Sequence, residues 1–274
     1  MKNLSHNFQL LLFTICISCA LWGCNSRQSK NINEYSVAAV LYQQQSGEYI
    51  GLANQAYQIA GLRMDTAVLH QHEKDLAVIT DLDETALDNS MQQAQLILDD
   101  SAYTSNSWKN WVNGEKAMAV PGALAFFKHI DSLKAWVGKQ KSHRVSIFYI
   151  TNRGQSDLVH TMNNMKALGF PQVTAGHFKM FSDGGNKQKR RDSVMAQYHV
   201  VLQLGDDLND FSGDFFNKSY QDRKHIADSL RKHFGNDFIL LPNAMYGGWQ
   251  TGLYSDFKTT NQDSVRHILL KGYK

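Results

Sequence analysis

Short apolar runs alternate along the chain with longer stretches in which apolar and polar residues recur at helical spacing. The short runs contain many valines, isoleucines, leucines and phenylalanines, a composition typical of buried strands. They predict strands at residues 76–80, 145–150, 200–204 and 238–241. Because these runs are continuous rather than alternating, they indicate strands covered on both faces, as in parallel sheets.

Helical spacing dominates the segments that precede and separate these strands. It predicts helices over residues 33–71, 106–116, 121–139, 157–168, 187–198 and 263–270. Pro121 begins one of them and Gly169 ends another, at positions that these residue types favour. The alternation predicts an α/β fold: a Rossmann-like parallel sheet covered by helices, with a smaller, mainly helical region that includes the N-terminal helices.

The first 24 residues follow neither pattern. Lys2 precedes an apolar run over residues 10–21, which is short for a membrane-spanning helix. The run ends in Leu21-Trp22-Gly23-Cys24, which resembles the end of a bacterial lipoprotein signal, where the cysteine is lipidated after cleavage. An uncleaved apolar anchor is the alternative, and with either reading we expect an exported protein held at a membrane.

The lipoprotein resemblance implies a signal peptide at 1–23, a polar tether at 24–33 and one domain over 34–274. Cys24 would carry the lipid. All three cysteines lie within the first 24 residues, so no disulfide is expected in the domain. The 274-residue chain is 43% hydrophobic with a net charge of +3, which fits a globular domain and gives no reason to expect nucleic acid as a partner.

Polar side chains follow three of the predicted strands directly. In a parallel sheet the carboxyl ends of the strands lie at one edge, where ligands bind, so we expect these side chains to converge. The residues concerned are Asp81 and Asp83, then Thr151, Asn152 and Arg153, then Asp206, Asp207 and Asp210, with Lys187 between the last two groups.

The chemistry that this set favours is phosphoryl transfer. Asp81, at a strand end, is placed to attack phosphorus, and Asp83, two residues on, points to the same side and can serve as acid and base. Mg²⁺ would relieve the repulsion among the acids, while Thr151 and Lys187 would balance charge on the transferring oxygens. A solvated helix face is the alternative for Lys187, because Lys189, Arg190 and Arg191 follow it.

The same residues resemble the four motifs of the haloacid dehalogenase (HAD) superfamily of phosphatases. DLDET at 81–85 matches the first motif, Thr151 in YITNR the second, Lys187 the third and GDDLNDF at 205–211 the fourth. The longer wording DLDETALDNS, together with the export signal, resembles the class C acid phosphatases, the outer-membrane lipoprotein e group. We therefore expect a HAD-like domain with a helical cap, located in the bacterial envelope at the outer membrane.

The resemblance also implies roles for individual residues. Asp81 would be the nucleophile and Asp83 the general acid, and both would also contact Mg²⁺, Asp83 through its backbone carbonyl. Asp206 would be a direct metal ligand, and Asp210 would hold a metal-bound water or position Lys187.

Members of the family are broad phosphomonoesterases that often prefer 5′-nucleotides and stack aromatic residues on the base, and the family suggests a homodimer. Expected substrate-binding residues here are Asn152, Arg153, Trp108, Trp111 and Tyr246, with Trp249 as a further aromatic candidate. The tryptophans are equally compatible with a structural role. Two departures bear on substrate preference and metal affinity: Met91 lies where an aromatic residue is expected nearby, and Asp207 is an additional acid.

Three functions fit the sequence. The first is a Mg²⁺-dependent phosphomonoesterase acting on nucleotides outside the cytoplasm. The second is a phosphatase of the same fold for sugar phosphates or other organic phosphates. The third is a non-catalytic surface lipoprotein that binds a ligand, which the complete set of motif residues disfavours.

Overall fold

The computed structural model describes residues 33–182, 184–257 and 261–273. The predicted signal peptide, Cys24 and residues 24–32 of the predicted tether therefore lie outside the described residues. Asn33, the last residue of that tether, donates from its side-chain amide to the Ser101 carbonyl at 2.7 Å. None of the helices in the described ranges has the length and apolar character needed to span a bilayer.

A five-stranded sheet forms the centre of the molecule, and all of its strands are parallel. Its spatial order is β10-β9-β2-β7-β8. The strands are β2 (Leu76–Thr80), β7 (Ser146–Ile150), β8 (Phe178–Lys179), β9 (His199–Gly205) and β10 (Phe238–Leu240). The four predicted strands are all present, and the predicted α/β class is confirmed.

Every residue of β2 is buried, and successive side chains enter two different apolar clusters. Leu76 and Val78 face the larger cluster, whereas Ala77 and Ile79 face a smaller one. This follows from the alternation of side chains along a strand, and it explains why β2 is a continuous apolar run.

Helices cover both faces of the sheet. They are α1 (Val37–Gln45), α2 (Gly47–Ala67), α3 (Ser90–Leu98), α4 (Ser105–Asn113), α5 (Ala123–Ser132), α6 (Leu158–Leu168), α7 (Gln188–Met195), α8 (Tyr220–Ser229), α9 (Gly248–Tyr254) and α10 (Gln262–Leu269). The larger cluster lies under α2, α5 and α6, and Val194 of α7 covers the smaller one. The helices α3, α8 and α9 were not predicted, and Ser46 divides the predicted N-terminal helix into α1 and α2.

The predicted helix over 121–139 was wrong in its second half. The helix α5 ends at Ser132, and the chain continues as a hairpin of β5 (Lys134–Val137) and β6 (Gln140–Arg144). Alternating burial along β5, with Ala135 buried and Trp136 exposed, is a strand pattern, and Gly138 at φ 56° supplies the turn. The short strand β1 (Gln71–His72) pairs with β5, and its first residue, Gln71, is where the predicted N-terminal helix was expected to end.

A small antiparallel pair of two-residue strands lies beside the carboxyl end of β2. After β2 the chain turns through Glu84, whose φ of 61° is left-handed, and enters β3 (Leu87–Asp88). β3 pairs antiparallel with β4 (Met118–Ala119). This turn holds DLDET at the edge of the sheet, and β3 leads from it into α3.

Candidate active site

The three polar groups predicted from the sequence lie at adjacent strand ends. β2 lies between β7 and β9, with Thr80 beside Tyr149 on one side and Leu204 on the other. Asp81, Thr151 and Asp206 therefore follow neighbouring strands at one edge of the sheet. Their proximity is a property of the parallel topology rather than of sequence separation.

Asp81, Asp206 and Asp210 form a compact acidic group. Each offers a carboxylate oxygen, and these atoms all lie within 4.8 Å of one another. Burial raises the pKa of Asp81 to about 7, because the charged form loses solvation and Asp210 and Asp83 lie nearby. Burial and the same kind of repulsion raise the pKa of Asp206 well above its usual value. This all-oxygen donor set, costly to ionise on its own, fits a hard divalent cation such as Mg²⁺.

Lys187 supplies the positive charge of the site from within the protein. It is the N-cap residue of α7, and its Nζ lies 2.5 Å from Asp81 Oδ1 and 2.6 Å from Asp210 Oδ1. Burial alone would lower the pKa of Lys187, but the two carboxylates outweigh this and raise it. Asp210 thus contacts Lys187 directly, in agreement with one of the two roles that the resemblance implies for it.

Gly205 allows Asp210 to approach the end of β9. A Cβ atom at position 205 would lie 2.3 Å from the Asp210 Cβ, so a larger residue would displace the Asp210 side chain. Packing against Asp210 therefore explains the glycine of GDDLNDF, independently of the backbone conformation at that position.

Asp206 is oriented by residues from two further loops. Thr85 Oγ1 donates to Asp206 Oδ1 at 3.0 Å, and the Asn243 amide donates to Oδ2 at 2.8 Å. Thr85 belongs to DLDET, whereas Asn243 follows β10 and was not among the predicted site residues. No sequence pattern near Asn243 marks it as a site residue. It reaches Asp206 only because β10 lies beside β9 in the sheet.

The Asp83 carboxylate lies apart from the three-acid group and pairs with Arg153. Arg153 Nη2 lies 2.7 Å from Asp83 Oδ1, and Arg153 Nε lies 3.1 Å from the same oxygen. Thr151 Oγ1 is 3.4 Å from Oδ2, a long hydrogen bond. Asp83 was predicted to contact the metal and Arg153 the substrate. The side-chain geometry shows them bound to each other, and contact of the Asp83 backbone carbonyl with a metal stays a prediction.

The basic cluster after Lys187 is not a solvated helix face. Arg190 and Arg191 are buried, and only Lys189 is exposed. Arg190 donates to the Thr151 carbonyl at 2.6 Å and to Asn152 Oδ1 at 2.7 Å. Arg190 therefore holds the loop after β7, a role that the sequence analysis missed. Its position one helical turn after Lys187 was the available signal.

Glu84 forms a buried network behind the site. Its carboxylate accepts hydrogen bonds from the Asn89 backbone N–H at 2.8 Å and from the Tyr246 hydroxyl. Burial raises the pKa of Glu84 to about 8, with a further contribution from Asp83. Tyr246, predicted to stack on substrate, is thus tied by its hydroxyl to the DLDET turn, while the residue also lines a cavity above the acidic group.

A cavity of about 990 Å³ opens above the acidic group. Its walls include Tyr103, Trp108 and Tyr246, and the Arg153 guanidinium lies 5.6 Å from the centre of the Trp108 ring. Asn152 also lines this cavity. The volume is at the upper end of the range for small-molecule sites, so it has room for more than a phosphoryl group.

The other two tryptophans considered for stacking have different surroundings. Trp111 packs against the large apolar cluster and donates from Nε1 to Asn89 Oδ1 at 2.8 Å. Trp249 is exposed, and its Nε1 donates to the Tyr246 carbonyl at 3.2 Å. Trp108 and Trp111, three residues apart on α4, therefore lie in different environments. Trp108 lines the cavity, whereas Trp111 packs against the large apolar cluster.

Asp207, the additional acid of the fourth motif, turns away from the acidic group. Its Oδ1 lies 3.1 Å from Arg223 Nη2, and its other oxygen accepts from the Gly248 backbone N–H. Asp207 therefore joins the site loop to α8 and to the start of α9. These contacts balance the additional negative charge of Asp207, which is not part of the three-acid group.

Comparison with known proteins agrees with this geometry. The model of the family "HAD superfamily, subfamily IIIB (Acid phosphatase)" matches residues 6–249. The structure of the class C acid phosphatase from Bacillus anthracis is similar, with a TM-score of 0.81 and 36% sequence identity, covering 88% of this chain and 99% of that chain. A structure of the B. anthracis enzyme with tungstate bound matches with a TM-score of 0.81 and 35% identity, covering 89% of this chain and 100% of that chain. The predicted resemblance is confirmed: the chain belongs to the subfamily IIIB acid phosphatases of the HAD superfamily and is a phosphomonoesterase hydrolase.

Proposed function

We propose that this acid phosphatase depends on Mg²⁺, acts through an aspartyl-phosphate and prefers nucleotides as substrates. The observation that carries the proposal is the acidic group of Asp81, Asp206 and Asp210 with Lys187 bound to two of its members. Such a group is electrostatically unfavourable when empty and favourable around a cation. Bound there by Asp81 and Asp206, Mg²⁺ would supply positive charge next to the transferring phosphoryl group.

The residues of the chain account for both half-reactions. In the first, an Asp81 oxygen forms a bond to phosphorus while the ester P–O bond breaks, and Asp83 gives its proton to the leaving oxygen. In the second, Asp83 takes a proton from water, whose oxygen attacks phosphorus, and the bond from phosphorus to Asp81 breaks. Lys187 lies beside the nucleophile in both steps and balances the charge of the transferring oxygens.

The tungstate-bound relative supports an oxyanion as a ligand for proteins of this kind. Tungstate is a tetrahedral oxyanion like phosphate, and the relative that binds it is 35% identical in sequence to this chain. In the present chain, Lys187 lines the cavity beside Asp81 and is placed to contact such an anion.

The cavity walls support a nucleotide as the favoured leaving group. Trp108 and Tyr103 lie with their ring centres 6.4 Å apart, and both line the cavity. Aromatic faces stack on any base and contribute about 1–3 kcal/mol per base. Other cavity residues carry uncharged amides, among them Gln93 and Gln250, which can donate to and accept from the polar edges of a base.

Hydrolysis of a substrate panel tests the proposal. Phosphate release from AMP, nicotinamide mononucleotide, glucose 6-phosphate and p-nitrophenyl phosphate is measured on the chain from about Asn25 onward, with Mg²⁺ or with EDTA. We expect release to require the metal and kcat/KM to be highest for the two nucleotides. Metal-dependent release with no such preference would favour the alternative, a phosphatase for sugar phosphates or other organic phosphates. Absence of any release from folded, metal-loaded protein would favour the non-catalytic binding lipoprotein.

We further propose that Cys24 anchors the enzyme to the bacterial envelope, at the outer membrane. The support is the sequence pattern of residues 1–24 alone. Metabolic labelling with radioactive palmitate followed by membrane fractionation tests it. The full chain is expected to carry label and to sediment with outer membranes, and Cys24→Ser is expected to lose both properties. Unlabelled full-length chain would contradict the proposal.

A further inference from the structure

Asn89 lies at the centre of the hydrogen bonds on the Asp83 side of the site. It is fully buried between β3 and α3. Its amide nitrogen, Nδ2, donates to Asp83 Oδ1 at 2.9 Å and to Glu84 Oε2 at 2.9 Å. Its amide oxygen, Oδ1, accepts from Trp111 Nε1 at 2.8 Å. One side chain thus connects two acids of DLDET to a tryptophan of α4.

The contacts of Asn89 determine which way its amide faces. An indole N–H only donates, so the atom facing Trp111 must be the amide oxygen. The amide nitrogen is then directed at two carboxylates, which only accept when ionised. Trp111 therefore orients the Asn89 amide, although Trp111 itself packs against the apolar core.

The two oxygens of Asp83 receive unequal numbers of donors. Oδ1 accepts from Asn89 Nδ2 at 2.9 Å and from Arg153 Nη2 at 2.7 Å and Nε at 3.1 Å. Oδ2 has a 3.2 Å contact with the same Nε and the long 3.4 Å contact with Thr151. Oδ1 is therefore occupied by short bonds, and Oδ2 is the oxygen left available for a proton and for the reacting ester.

We propose that Asn89 is a positioning residue that, together with Trp111, fixes the Asp83 carboxylate so that Oδ2 performs the proton transfer. The inference rests on the proposed role of Asp83 as the general acid. It assigns Trp111 to this relay of hydrogen bonds rather than to the substrate. Proton transfer needs the donor oxygen within hydrogen-bond reach of the leaving oxygen, so a carboxylate free to rotate protonates it less often.

The dependence of rate on the leaving group separates positioning from general destabilisation. A series of substituted phenyl phosphates has nearly constant size, while the basicity of the departing phenolate changes. A weakly basic p-nitrophenolate departs without a proton, whereas a more basic p-methoxyphenolate needs one. The plot of log kcat/KM against leaving-group basicity is therefore shallow when the acid is in place and steep when it is not.

Four variants are compared with the wild type in this series. Asn89→Ala is expected to lower kcat/KM about 10- to 100-fold for p-methoxyphenyl phosphate and by less than about 5-fold for p-nitrophenyl phosphate. Asp83→Asn sets the upper limit of the effect. Trp111→Phe keeps a ring and removes only the N–H, so a smaller steepening is expected. Asn164→Ala is the matched control, because Asn164 is another buried amide, bonded to the Ala117 backbone away from the site.

The outcomes distinguish this inference from the proposed function. An unchanged slope in Asp83→Asn would remove Asp83 as the acid and with it the proposed mechanism. A steeper slope in Asp83→Asn, with wild-type slopes in both Asn89→Ala and Trp111→Phe, would overturn the positioning role alone. A uniform loss for all esters, as expected for Asn164→Ala, would likewise make Asn89 merely structural. If Asn89→Ala does not fold, Trp111→Phe decides, since it leaves the buried amide in place.

Discussion

A carboxylate flanks each end of β2, and the two carboxylates differ in how exposed they are to solvent. Asp75 precedes the strand, with 44% of its side chain exposed, and pairs with His143 at 2.7 Å. Asp81 follows the strand, with 10% of its side chain exposed, and pairs with Lys187. Only the second arrangement requires the protein to remove opposite charges from water, which is costly.

The same contrast extends across the sheet. At the amino end of β9, His199 is exposed and its ring lies 5.0 Å from that of His72. At the carboxyl end, Asp206 belongs to the acidic group. The fold would tolerate solvated loops at both ends, so burial of the Asp81 and Asp206 carboxylates at the carboxyl ends indicates a functional requirement.

The largest expected effect comes from substituting Asp81, the proposed nucleophile. Asp81→Asn is expected to lower kcat at least about 10³-fold, because the amide is a poor nucleophile toward phosphorus. The fold should persist, because Lys187 keeps Asp210 as its partner and the amide introduced at position 81 can still accept a hydrogen bond from it. Asp75→Asn, the same change at the other end of β2, should keep kcat within about twofold of wild type because 44% of the Asp75 side chain is exposed. Steady-state kinetics and thermal melts measure both. An Asp81→Asn enzyme with a tenth of the wild-type rate would show that Asp81 is not the nucleophile.

Substituting Lys187, the buried positive charge beside Asp81, should have the next largest effect. Lys187→Met leaves Asp81 and Asp210 without their shared partner, so kcat is expected to fall by about 10²-fold or more. Losing one member of a buried ion pair is also expected to cost about 3–5 kcal/mol of stability. Lys189→Met, on the exposed side of the same helix, is the control and should change neither kinetics nor the melting temperature. Equal behaviour of the two variants would contradict the buried role of Lys187.

A smaller effect is expected at the cavity wall, further from the strand ends. Trp108→Ala should raise KM for AMP about 10-fold, in line with the loss of one stacking partner, and should change KM for p-nitrophenyl phosphate much less. Trp136→Ala removes an exposed tryptophan from β5 and serves as the control. Equal increases in KM for both substrates would indicate a structural role for Trp108.

The smallest effect is expected at the amino end of the sheet. Partial burial, together with His72 and Lys74, lowers the pKa of His199 below its usual value. The unfolded chain then binds a proton at higher pH than the folded chain, so His199 removes stability as pH falls below about 6.5. His199→Gln should therefore lose less stability than wild type between about pH 7 and about pH 5, as measured by denaturant unfolding. Activity at pH 7 should be unchanged. A larger loss in the variant would reverse the sign of this effect.

Local sequence patterns correctly predicted the main strands of the central sheet. Strands β2, β7, β9 and β10 were correctly predicted because a strand covered on both faces must be apolar along its whole length. The segment after Ser132 was predicted incorrectly, because Leu133, Trp136 and Val137 fit an apolar helical stripe as well as a strand. Pairing of β5 with β1 and β6 decides between the two, and pairing is a tertiary property.

The candidate site divides in the same way. The sequence by itself determined which chemistry is present, because Asp81, Asp83, Lys187 and Asp206 occur in motifs whose order and spacing identify a phosphatase family.

Only the tertiary structure decided how each side chain is used. It paired Asp83 with Arg153, turned Asp207 toward Arg223 and buried Arg190 against the Thr151 loop. It also separated two tryptophans of one helix, one lining the cavity and one bonded to Asn89. The physical reason is that residue types fix which bonds a group can form, whereas partners brought together across the fold fix which of those bonds exist.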